Sequence, residues 1–288
     1  MAQNLQLLKR RIRTSKNIAQ IAKALEMIAA SKIKKAQGAS QNNKPYADRI
    51  TGVITDILLS LNNPTYKHKY LDPKMQEGTT LSGKKLLIAI SPDRGLCGSL
   101  NTNIYKKLIE LDSKDIKIVT VGKKVGLFSS KLSFELLSSY PMGSTLPDYS
   151  LVYQLKTIID EQLDAGEISS VHILYADFVS LFTQTPTVKQ LLPLQFTDQP
   201  IVTSENGTLF EPGKEVLLDA LLPYYLEVQL YNSLLQAFTS EQAAQMVAMQ
   251  NAKNNAFDIA EYLNLVYNKS RQERITNEIL DLANSTQI

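Results

Sequence analysis

The chain's one cysteine sits in a glycine-bearing turn, "SPDRGLCGSLN" from Ser91 to Asn101, directly after the apolar run "KKLLIAI". A strand that enters such a turn and then opens a helix can cradle phosphate, and a cysteine there could be a nucleophile. The arrangement is not G-x-G-x-x-G, however. Cys97 also has no base within reach of the sequence pattern, because the only histidines are His68 and His172. Gly95 and Gly98 suit tight turning, Pro92 and Asp93 suit a turn, and Ser99 or Asn101 would cap the following helix. A lone Cys among apolar neighbours reads as a small core residue.

Two other constellations invite chemistry and fail on their spacing. "GTTLSGKK", Gly78 to Lys85, approaches the phosphate-binding G-x-x-x-x-G-K-[ST] pattern. It puts Lys85 where a magnesium-holding hydroxyl belongs, and it precedes a strand when it should follow one. Two separated histidines and one cysteine do not make a zinc set, and no carboxylates carry calcium-loop spacing. Glu205 and Glu211 read as ordinary surface carboxylates. The residues therefore specify no catalytic group, cofactor or metal.

Elements that could position a functional surface are more legible. Across 288 residues the formal net charge is +3 and hydrophobic residues make up 44%. The charge is uneven: Lys9, Arg10, Arg11, Arg13, Lys16, Lys23, Lys32, Lys34 and Lys35 face only Glu26, whereas the chain beyond Glu205 is acidic. Such a basic stripe fits nucleic acid, a membrane surface, an acidic protein or a solvated helix face. One cysteine makes no internal disulfide, and the N-terminus "MAQNLQLLKRRIR" carries no secretory pattern.

From Asn4 to Leu61 apolar residues recur at helical spacing: Leu5, Leu8, Ile12, Ile18, Ile21, Leu25 and Ile28. Ala19, Ala22, Ala29 and Ala36 form an adjoining stripe that would admit a second helix closely. After Pro223 there is no glycine or proline to Ile288, and apolar residues keep a three-four rhythm from Leu217 through Phe238, Met249 and Ala256 to Leu282. One helix over that stretch would span on the order of 95 Å and needs a partner along its length. The N-terminal helix is the available one.

Between them, "LLIAI", "IKIVTV", "LSFELL" (Leu132 to Leu137) and "VHILYADF" read as strands. They alternate with helical stretches at Asn101 to Leu111, Lys123 to Ser129 and Asp148 to Leu163, which implies a mostly parallel sheet. The expected fold class is α/β: a long antiparallel coiled coil of the N- and C-terminal helices around an inserted, mostly parallel sheet domain. The expected division is residues 1–61 and 209–286 for the helices and 84–196 for the sheet domain. Linkers are expected over Asn62 to Gly83 and Thr197 to Gly213.

Four separated groups of residues, in order, carry a resemblance. "IAKALEMIAASKIKKAQ" (Ile21 to Gln37), "DRGLCGSLN" (Asp93 to Asn101), "PTVKQLLPL" (Pro186 to Leu194) and "SEQAAQMVAMQNAKNNA" with "LNLVYNKSRQERITNEI" (Ser240 to Ala256, Leu263 to Ile279) closely resemble the gamma subunit of F-type ATP synthases. The match runs end to end. It implies a Rossmann-like middle domain and a rotor shaft that turns with the membrane c-subunit ring and drives the beta subunits through their states, with no nucleotide bonds of its own.

The implied partners are the alpha and beta subunits of the catalytic hexamer, the epsilon subunit and the c-ring. Nucleic acid is not among them, and membrane association is indirect, through the ring. By motif, the resemblance assigns beta-subunit contacts to Arg271, Gln272 and Thr276, with Lys23 and Leu25 nearby on the opposing helix. It assigns an apolar bearing to Ile275, Ile279 and Leu282, and a contact with acidic levers to the turn at Arg94 and Cys97. Two departures stand out: Leu25 replaces a common methionine, a volume-conserving exchange, and one cysteine cannot form the thylakoid regulatory dithiol. The implied setting is the cytoplasmic face of a bacterial inner membrane. The rival readings are a stand-alone α/β nucleotide-binding enzyme, from the strand-turn-helix at Ile90 to Ile104, and a coiled-coil nucleic-acid adaptor, from the basic N-terminal helix.

Overall fold

The computed structural model describes residues 2–61, 66–72, 83–111, 115–196 and 210–285, with side chains from residue 5 to residue 280. Helix α1 runs Ala2–Ser60 and helix α5 runs Lys214–Ser285, 59 and 72 residues long. Each contains one proline, Pro45 and Pro223. An interior proline loses one N–H and costs about 3 kcal/mol. Buried neighbours offset it: Ala47 and Ile50 beside Pro45, Leu222 and Leu226 beside Pro223.

The chain forms two compact units, Met1–Ala30 with Gln245–Ile288, and Ser31–Ala244. The first is a two-helix unit. Its α1 segment buries Ile12, Ala19, Ala22 and Ala29 at steps of seven, three and seven, and its α5 segment buries Met249, Ala256 and Ala260 at steps of seven and four. That is coiled-coil spacing with small residues at the seam. Glu26 of α1 and Lys253 of α5 pair across it at 2.7 Å.

The packed stripe is therefore the alanine stripe. Ile18, Ile21 and Ile28, read from sequence as the apolar face, are 50%, 62% and 52% exposed. Alanine lets two backbones approach in a way a β-branched side chain does not, and the isoleucines are left on the flank. Ala22→Leu should then overpack the seam and cost about 1–3 kcal/mol, whereas Ile21→Ala should stay within about 0.5 kcal/mol. Denaturant unfolding of the two full-length variants separates these outcomes, and equal stabilities would contradict the assignment of the seam.

The second unit is built on five strands, β1 (Lys85–Ile90), β2 (Ile116–Val121), β3 (Glu135–Tyr140), β4 (Ser170–Phe178) and β5 (Gln184–Leu192). Their order is β3-β2-β1-β4-β5. The first four are mutually parallel, and β5 pairs antiparallel with β4. Helices α2 (Leu100–Ile109), α3 (Lys123–Ser129) and α4 (Tyr149–Asp164) connect them.

Alternation along β1 splits the core in two. Leu86, Ile88 and Ile90 join Val152, Leu155 and Ile159 of α4, Ile50, Ile54 and Ile57 of α1, and Leu222, Leu226 and Phe238 of α5. Leu87 and Ala89 join Leu100, Ile104 and Leu108 of α2 and Val125 of α3 on the other face. Each such fully buried aliphatic or aromatic side chain stabilises the fold by about 1.5–3 kcal/mol.

Three sequence expectations need correction. The third strand starts at Glu135, not Leu132, because it is a half-exposed edge strand and the apolar Leu132 and Phe134 belong to the turn before it. β5 has no counterpart among the expected strands. Its Pro186 sits opposite Ala176 on an edge, where a missing N–H is tolerated. The presumed linker Asn62 to Gly83 is not featureless either: Tyr70 is fully buried and its hydroxyl donates to Asp160 at 2.5 Å. Residues 62–65, 73–82 and 197–209 lie outside the described residues, and with them most of "GTTLSGKK". Lys85 opens β1, so that stretch does precede a strand.

Candidate partner-binding site

The turn from β1 into α2 stands at the carboxyl ends of the parallel strands, where the loops after β1, β2 and β3 meet. One side chain ties the three together. Asp93 accepts from the backbone N–H of Lys123 at 2.8 Å, of Met142 at 3.2 Å and of Gly143 at 2.9 Å. Beside it, Ser91 Oγ accepts from the N–H of Val125 at 2.9 Å. Gly122 donates to Tyr140 O at 2.7 Å, and Ser91 N–H donates to Val121 O at 2.8 Å.

This framework presents Arg94 and Leu96 to solvent. Leu96 is 63% exposed at φ 68, a left-handed conformation that a leucine adopts only under constraint. The sequence placed that role on Gly95 and Gly98; Gly98 has it, at φ 58, but Gly95 does not. Ser99 occupies the N-cap position of α2 without a side-chain cap bond, and Asn101 donates to Cys97 Sγ at 3.3 Å.

Cys97 itself is 3% exposed. Burial, and then the carboxylate of Glu241, push its thiol up from the ordinary cysteine range. A thiol held protonated and covered is a poor nucleophile. The histidines are no better placed. His172 sits on β4 with no hydrogen-bond partner for Nδ1 among the described residues, and burial followed by Lys85 lowers its pKa. His68 accepts from Tyr70 N–H, and burial lowers it too. Among the described residues no cluster of His, Cys, Asp and Glu could hold a metal.

The second candidate region is on the two-helix unit. Arg271, Gln272 and Thr276 are exposed on α5, and Thr276 Oγ1 donates back to Gln272 O at 3.0 Å. Arg274 is engaged by Glu278 at 2.7 Å. Ile275 and Ile279, one turn apart, are 47% and 60% exposed. Leu282 lies outside the residues whose side chains are described. Leu5 of α1 lines an open cleft with Gln272, Glu273 and Thr276.

Lys23 is exposed and Leu25 half-buried on α1, but they do not stand beside Arg271. The register that pairs Glu26 with Lys253, and Leu5 with the 269–277 stretch, sets Arg271 level with Leu8. Lys23 is then about 22 Å further along the seam at 1.5 Å per residue. The alanine stripe marked a face for close approach, but its residues alone do not fix the antiparallel register. Asp93, the residue that organises the turn, was read only as a turn former; its long-range bonds leave no trace in local sequence.

Comparison with known proteins gives a consistent result. The ATP synthase family model matches residues 4–287. The ATP synthase gamma chain of Dehalococcoides mccartyi (strain CBDB1) is 38% identical over 283 residues, covering 97% of this chain and 96% of that protein. The ATP synthase gamma chain of Chloroflexus aurantiacus (strain ATCC 29366 / DSM 635 / J-10-fl) is 33% identical over 282 residues, covering 96% and 95%. Among solved structures, the chain is similar in fold to one from the Euglena gracilis mitochondrial ATP synthase, OSCP/F1/c-ring, with a TM-score of 0.66 at 18% identity, covering 100% of this chain and 95% of that one. One from the Tetrahymena thermophila mitochondrial ATP synthase central stalk and c-ring gives 0.58 at 24% identity, covering 81% and 99%. With a family model spanning nearly every residue and relatives 38% and 33% identical over 96% and 95% of their length, this chain belongs to the family of ATP synthase gamma chains.

Proposed function

We propose that the chain is the central rotor shaft of an F-type ATP synthase, a non-catalytic subunit that couples rotation of an ion-driven membrane ring to conformational cycling of catalytic beta subunits. Family membership is the observation that carries this reading. The two long helices and their close alanine seam support it, since torque needs a stiff pair. The covered, protonated Cys97 supports a turn that binds and does not react. Neither the stand-alone enzyme nor the nucleic-acid adaptor is favoured by the relatives.

In this reading residues 1–61 and 209–286 act as the shaft and 84–196 as the foot. The partners are the alpha and beta subunits of the hexamer, the epsilon subunit and the c-ring. The chain would sit at the cytoplasmic face of a bacterial inner membrane, held there through the ring. The bacterial relatives support that setting, and no helix among the described residues is long and apolar enough to cross a membrane.

The contacts divide into levels. Arg271, Gln272 and Thr276 meet beta-subunit loops near one end of the seam, with Ile275, Ile279 and Leu282 as an apolar bearing beyond them. Lys23 and Leu25 make a separate level further along α1. The turn at Arg94, anchored from beneath by Cys97, meets acidic levers, which also accounts for the basic N-terminal stripe.

Arg271→Ala combined with Gln272→Ala removes two polar contacts, one of them charged, worth roughly 1.5–3 kcal/mol together. ATP synthesis by the assembled complex should fall on the order of ten- to a hundredfold, while co-purification with the hexamer persists. Unchanged synthesis would remove these residues from the site. A wild-type chain that fails to co-assemble with the hexamer would overturn the function itself.

A further inference from the structure

The loop that joins β4 to β5 exposes three apolar side chains within four residues. Val179, Leu181 and Phe182 all face solvent, Phe182 at 78%. Single exposed apolar residues are ordinary, but a contiguous group of them marks an interaction surface. The fourth residue, Ser180, holds the tip in shape. Its Oγ accepts from the N–H of Phe182 at 3.3 Å and of Thr183 at 3.1 Å. Its own N–H donates to Thr183 O at 3.1 Å, and Gln184 Nε2 donates to the carbonyls of Ser180 and Leu181 at 3.0 and 2.9 Å. An aromatic side chain on a tip fixed in this way loses little freedom on binding.

Register sets this tip at the same end of the sheet as the β1–α2 turn. Ala89 of β1 pairs with Leu174 of β4, which puts Tyr175 level with Ile90, the last residue of β1. β4 then continues three residues to Phe178, about 10 Å past that end. The roots of tip and turn meet against α5, where Ala176, Ser91 and Pro92 line one small cavity with Ala237. The turn offers another exposed apolar residue, Leu96, held at φ 68. A leucine kept both left-handed and in solvent adds nothing to the core, and strain of that kind persists where a function uses it.

We propose that Phe182 and Leu96 are the apolar anchors of a two-pronged contact with the beta subunits, entering apolar recesses next to the acidic segment that Arg94 meets. The identity of the partner rests on the rotor reading. The chemistry of the prongs defines what they recognise. Residues 179–184 carry no charge, so the tip suits an apolar recess and gains nothing from a bare phosphate or carboxylate. Arg94, exposed in the turn, supplies a cation for an acidic rim. Apolar anchors inside a polar rim are how interfaces concentrate their binding energy.

Titration of the full-length chain into the hexamer of alpha and beta subunits tests the anchors. Phe182→Ala should weaken binding about thirtyfold and Leu96→Gly about tenfold. Ile109→Ala, which truncates an exposed apolar residue at the far end of α2, should bind as wild type does. Neither anchor substitution should lower the denaturant midpoint of the free chain, since one truncates an exposed ring and the other relieves a left-handed leucine. Unchanged affinity in both variants, with wild type binding, would overturn the anchors and leave the rotor reading standing. So would a lowered midpoint that accounts for the loss, or weakened binding of epsilon in place of the hexamer. A wild-type chain with no affinity for the hexamer would overturn the rotor reading and the anchors with it.

Discussion

Gly122→Ala should leave almost no folded protein. Gly122 ends β2 at φ 107, and a Cβ added there would lie 1.9 Å from Ser91 O and 2.8 Å from its carbonyl carbon. Both are backbone atoms at the end of β1, pinned by the Ser91 N–H bond to Val121 O, so neither can swing aside. The left-handed conformation alone costs roughly 1–2 kcal/mol for a residue with a Cβ. Parting two central strands adds enough to bring the loss above about 4 kcal/mol, a large share of the 5–15 kcal/mol by which domains are stable. Gly95→Ala is the control, since nothing lies within 4 Å of its Cβ and its φ is not positive. Soluble yield and denaturant midpoints should collapse for the first and hardly move for the second. Comparable midpoints would show that the strand ends are not locked together as described.

Asp93→Ala should have the next largest effect. One carboxylate satisfies three backbone donors on two other loops, and two of these bonds are 2.9 Å or shorter. Charge-assisted bonds of this kind are stronger than neutral ones, but Lys123 and Gly143 are exposed enough for water to replace part of the loss. A destabilisation of about 2–3 kcal/mol follows, read as a lowered midpoint in denaturant unfolding. Asp93→Asn keeps the shape and part of the acceptor capacity, so it should fall between wild type and alanine. If alanine and wild type unfold together, the turn is held by something other than this carboxylate.

These two residues illustrate what the sequence could and could not disclose. Regular elements were legible wherever periodicity and burial agree: α3 and β2 coincide with their sequence-derived bounds, and the long helices run through Pro45 and Pro223 as the uninterrupted spacing implied. Legibility failed where side chains are half exposed or rules are relaxed at an edge, as in β3 and in the proline-bearing β5. The alanine stripe was legible as a face for close helix approach, and Ala19, Ala22 and Ala29 are buried, whereas the louder apolar signal of Ile18, Ile21 and Ile28 belongs to an exposed flank. Within the candidate site the resemblance supplied the names of residues, but the geometry around them is long-range. Asp93 meets partners 30 to 50 positions away. The separation of Lys23 from Arg271 likewise depends on register, which a list of motifs does not contain.

The central claim is that this chain transmits rotation, and it can be watched directly. A complex immobilised through its hexamer, carrying a bead on a cysteine introduced at the exposed Lys131, reports the sheet-bearing part of the chain while ATP is hydrolysed. Stepwise turning of the bead in one direction, stopping when ATP is withdrawn, is the predicted record. Steady ATP hydrolysis beneath a bead that does not turn would contradict it.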